Sequence, residues 1–173
     1  MDYEVAGLPA HVLLVHAVIV LTPLLGLLLV VIAVWPAARR VLWLPALIGA
    51  AVLLPLGLLT IEAGKWLEVR VPPAPLIQQH TAMGEDIVPW LIALLVLAAV
   101  IAVWAIVERA AKRRAAATDG RGLTRGVRIV VGVVLTLAAL VITVGSTWTI
   151  VRIGEAGSRA VWEGSFSDVP LDR

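Results

Sequence analysis

Four stretches of the chain are almost continuously apolar, at about 11–34, 41–61, 87–107 and 127–151. Each has about the 20 residues that an α-helix needs to cross a hydrocarbon layer roughly 30 Å thick. Polar positions collect between them, at 35–40, 62–86 and 108–126. The runs are solid and do not alternate, which excludes the half-polar strands of a transmembrane barrel. The pattern predicts an all-α membrane protein, one four-transmembrane-helix bundle over residues 1–173, with both termini on one side. Both helical pairs read as hairpins, but no internal repeat stands out between them.

Punctuation refines these elements. Pro9 suits a first helical turn. Pro23, inside the first run, removes a backbone hydrogen bond and predicts a bend; the second run has Pro45 near its start and Pro55 inside. Gly49 and Gly57 offer small surfaces where helices approach closely. Trp35 and Trp43 mark one membrane boundary, and Trp66 and Trp90 the other. "VPPAP" splits the 62–86 connection; the half before it prolongs the second helix, and "LIQQHTAMGED" reads as a helical lead into the third. Gly154 and Gly157 predict a break near the end of the fourth helix. The tail "EGSFSDVPLDR" is polar.

Composition agrees: 61% of residues are hydrophobic, and the mean hydropathy is +1.00. The absence of cysteine removes disulfides, iron–sulfur clusters and thiolate catalysis. Twelve arginines against two lysines suggest a GC-rich bacterial source. Charge sets the orientation. The 35–40 and 108–126 connections, with Arg128 just beyond the second, hold nine basic and two acidic residues, whereas the rest of the chain holds five basic and ten acidic. The positive-inside rule puts the basic connections in the cytoplasm and both termini outside, in a bacterial plasma membrane. Topology accounts for the basic charge, so no nucleic-acid partner is expected. The start "MDYEVAGLPA" is acidic, the reverse of a cleavable signal peptide.

The candidate chemistry gathers on the extracytoplasmic side. His11 and His16 lie early in the first helix, Glu62 and Glu68 leave the second, His80, Glu85 and Asp86 precede the third, and Glu155 belongs to the end of the fourth. His16 sits roughly 10 Å down the first helix, and ionisable groups at that depth mark functional sites. It is expected to face inward, with His11 nearer the headgroups. Five residues separate His11 from His16, about 140° around a helix; His80 and Glu85 have the same spacing. A site must therefore be assembled between helices, from His16, Glu62, His80 and Glu85, with His11, Glu68 and Glu155 as further candidates. Imidazole with carboxylate suits zinc, iron, copper or manganese. Haem b is the alternative, with His16 and His80 as axial ligands and Met83 as a weaker substitute. The third reading is a structural hydrogen-bonded network in a non-catalytic subunit. No nucleophile triad, phosphate loop or nucleotide fingerprint appears, which leaves enzymatic activity open.

"LPAHVLLVHAVIVLTPL", "TIEAGKWLEVRV", "LIQQHTAMGE" and "VRIGEAGSRAVW" together resemble the bacterial membrane-protein family of domain of unknown function 2231. The likeness spans the four-helix region, and its most specific part is the histidine pair at five-residue spacing. The family pattern has a histidine where this chain has Glu155. Some relatives accompany Rieske or cytochrome c modules, so the resemblance implies a redox setting. The expectation is thus a metal-binding membrane protein for redox or metal-handling work, whose partners are the bilayer and a redox protein or a second copy of itself.

Overall fold

The computed structural model describes residues 2–118, 122–167 and 169–170, with only the backbone of Thr118. It is all-α apart from one short antiparallel pair, β1 (Glu4–Val5) with β2 (Leu8–Pro9). Ala6 and Gly7 both have positive φ, at 52° and 78°, which is the twist that tight hairpins favour. The long helices are α1 (Ala10–Val34), α2 (Pro36–Glu68), α4 (Val88–Thr118) and α5 (Arg125–Trp162). A short α3 (Pro75–Met83) and a 3₁₀ turn (Gly84–Ile87) lead into α4.

Prolines set the corners. Trp35, which precedes Pro36, is extended at φ −107° and ψ 103°, since a following proline disfavours the helical region. Pro36 then opens α2 at its first position, so one residue separates two membrane-length helices. Pro75 opens α3 in the same way. Thr124 caps α5, its side chain accepting from the N–H of Val127.

Several sequence expectations are corrected. The 35–40 connection is mostly the first turn of α2, and much of 108–126 is helix. Gly154 and Gly157 do not break α5, which continues to Trp162. Pro23, Pro45 and Pro55 lie inside α1 and α2, as their places in the apolar runs imply. Asp119 and Arg121, counted in the sequence-based charge balance, fall outside the described residues.

Helix α1 packs on α2 and α5, and α4 packs on α2 and more lightly on α5, which closes the ring α1–α2–α4–α5. The axis is filled by Leu29, Ile32, Leu91, Leu94 and Ile101. Thr22, Thr143 and Ser146 are buried, and each hydroxyl donates to a carbonyl of its own helix, so none of these three is stranded, whereas the buried indole N–H groups of Trp66 and Trp104 have no partner among the described residues. Outward-facing Leu24, Val52, Val100 and Val141 are 47–66% exposed. A bundle with apolar residues both inside and outside is built for lipid. All four long helices have the length and hydropathy to cross a membrane.

Candidate functional site

Two histidines meet at the end of the bundle that carries both termini. His11 lies in the first turn of α1. The β hairpin places that turn: Ala10 N–H donates to Tyr3 O at 2.8 Å, and the Tyr3 ring meets Trp66 of α2 edge-on at 6.3 Å. His11 Nδ1–H donates to Thr60 O of α2 at 2.9 Å. His80, in the last turn of α3, donates its Nδ1–H to Ile153 O of α5 at 3.1 Å. The two ring centroids are 6.1 Å apart and edge-to-face.

Both seats follow one rule. A helical carbonyl already accepts from the N–H four residues on, and the side chain of that fourth residue crowds its remaining lone pair. Four residues after Thr60 stands Gly64, and four after Ile153 stands Gly157. A Cβ at Gly64 would lie 2.9 Å from His11 Nδ1, and one at Gly157 2.9 Å from His80 Cε1. Glycine uncovers each carbonyl and admits each ring. The seats share a short sequence, "TIEAG" at 60–64 and "IGEAG" at 153–157. This repeat escaped the sequence reading because only three consecutive residues are identical and their histidines lie on other helices.

A carbonyl only accepts, so each Nδ1 must carry the proton, and the neutral ring then presents a lone pair at Nε2. Neither Nε2 has a hydrogen-bond partner among the described residues. Burial, and secondly the neighbouring His11, hold the His80 pKa below its ordinary 6.5. His80 is thus favoured as a neutral donor. Metal-binding histidines are commonly oriented in this way, with the second nitrogen tied to a carbonyl.

The other predicted residues are placed elsewhere. His16 does not face inward: it is exposed on α1 and bonds Val12 O of its own helix at 2.6 Å. His11 takes the inward position expected for it. Glu62 and Glu85 are exposed and share Lys65, at 3.2 Å and 2.7 Å. Lys65 depresses the Glu85 pKa, and the two glutamates, Glu85 foremost, raise that of Lys65. Glu155 is exposed and pairs with Arg159 at 2.7 Å. Glu68 is half-buried at the end of α2. Met83 lines a separate cleft with Trp90 and Arg152. Among the described residues no three His, Asp or Glu side chains gather as a metal group. The expected cluster of His16, Glu62, His80 and Glu85 is therefore not assembled; the pair His11–His80 stands in its place.

The opposite end holds a feature the sequence did not disclose. Arg39, placed in a loop by hydropathy, is 2% exposed. Its Nη1 donates to Ile32 O and Ala33 O at 2.8 and 2.9 Å, and its Nε to Glu108 at 3.1 Å. The two carbonyls belong to the last turn of α1, where helical acceptors lack intrahelical partners. Glu108, a supposed loop residue, is 13% exposed and also lies 3.6 Å from Arg128.

The fold and the site together define a class: an all-α bundle with four helices suited to crossing a membrane and paired imidazoles at its terminal end. No family model, curated protein or solved structure matches the chain.

Proposed function

We propose that this is a bacterial plasma-membrane protein that holds a transition-metal ion between His11 and His80 on its extracytoplasmic side, for redox or metal-handling work. The single observation behind this reading is the state of the two rings: both Nδ1 atoms are committed to backbone carbonyls, and both Nε2 lone pairs lack a partner among the described residues. Imidazole favours copper, zinc and iron, and a site without carboxylates disfavours manganese. Two protein donors leave open coordination positions for water, a substrate or a partner's ligand. The resemblance to the family of domain of unknown function 2231 adds a redox context, and with it a redox protein as partner.

The test is the metal content of detergent-purified protein, prepared without chelators or metal resin, beside three variants. About one ion per chain is expected in the wild type and in His16→Ala, with loss in His11→Ala and in His80→Ala. Retention in both inner variants, or no metal in the wild type, overturns the proposal. A Soret band with reduced α and β bands would replace the bare ion by haem b.

A further inference from the structure

At the hairpin end, a cavity of about 520 Å³ opens between the last turns of α4 and the starts of α2 and α5. Its walls include Arg40 of α2, Arg109, Lys112 and Arg113 of α4, and Arg128 of α5. The carboxylate in this wall is Glu108, and its charge is already divided between buried Arg39 and Arg128. Arg109 donates to the carbonyl of Arg40 and lies over the Trp43 ring at 5.8 Å. The side chains of Arg40, Lys112 and Arg113 have no hydrogen-bond or ion-pair partner among the described residues. Topology alone asks for basic residues at this end; it does not ask that they converge from three helices on one hollow.

We propose that this hollow binds the phosphate of an anionic phospholipid headgroup. Two observations favour a lipid over a soluble phosphate. Trp43 places the site at the level where indole rings sit in a membrane, at the headgroups. Directly beyond the cations, α2 and α4 turn Val41, Leu44, Val103 and Val107 outward, 40–72% exposed. An acyl chain can lie along that apolar surface while the headgroup enters the hollow. Basic pockets between transmembrane helices on the cytoplasmic side recognise anionic headgroups in this way. Arginine supplies paired N–H donors for phosphate oxygens, and Lys112 supplies a mobile point charge.

The test is native mass spectrometry of the full chain, titrated in a neutral detergent with phosphatidylglycerol, phosphatidylcholine or inorganic phosphate. Phosphatidylglycerol should remain bound at energies that strip phosphatidylcholine. Its affinity should fall at least roughly tenfold in Lys112→Gln/Arg113→Gln. Both residues are exposed, so the bundle core is untouched, and Arg152→Gln/Arg159→Gln, which removes two likewise exposed charges at the other end, controls for net charge. Equal retention of both lipids, an unaffected double variant, or displacement of phosphatidylglycerol by inorganic phosphate would overturn the proposal.

Discussion

A ring that donates to a helical carbonyl must reach past the side chain four residues on, and this protein removes that side chain twice. Gly64→Ala and Gly157→Ala therefore carry opposing terms. Alanine in a helix interior is favoured over glycine by about 1 kcal/mol. Displacing the ring forfeits one hydrogen bond, about 0.5–1.5 kcal/mol net. The terms nearly cancel, so thermal stability should move little in either variant. The lone-pair geometry should not survive, because the new Cβ would stand 2.9 Å from ring atoms. The expected outcome is loss of bound metal with melting within a few degrees of wild type. Retained metal in both variants would show that the glycines are packing features only.

At the scale of an element, hydropathy located the middle of each long helix and misjudged the ends. Apolarity reports where lipid is, whereas a helix ends where its hydrogen bonds do. Pro36 fixes the start of α2 within its polar lead, and α4 continues through charged residues to Thr118. Inward-facing residues were harder to read. The hydropathy of α1 differs little around its circumference, so depth favoured His16 although its side chain turns outward. Arg39 illustrates the same limit, since its role depends on the one-residue corner that brings the end of α1 beside it. Removing it would leave Glu108 without its buried partner and two carbonyls of α1 uncapped. Breaking a buried pair from one side costs about 3–5 kcal/mol. Arg39→Ala should therefore lower the melting temperature in detergent more than Arg40→Ala, whose side chain is exposed. Equal shifts would show that the pair contributes little.

For the whole molecule, the two hairpins repeat one scheme. In the first, His11 stands in the opening turn of the outbound helix α1 and seats on the returning α2. In the second, His80 precedes α4 and seats on the returning α5. Both hairpins start and finish at the terminal end, so the two rings meet where the halves meet. This arrangement makes the end that holds the histidines opposite the end that holds the basic hollow, whichever way the bundle is inserted. Nine basic residues at the hairpin end predict that this end faces the cytoplasm. The chain contains no cysteine, so single-cysteine reporters give a clean reading. Ser165, exposed beyond α5, and Ala116, exposed near the end of α4, lie at opposite ends. In intact bacterial spheroplasts, an impermeant maleimide should label Ser165→Cys at once and Ala116→Cys only after permeabilisation. The reverse pattern would place the imidazoles in the cytoplasm and the basic hollow outside, against the leaflet assignment on which the headgroup proposal rests. The histidine pair would keep its geometry in that case, and its metal would have to come from the cytoplasmic pool.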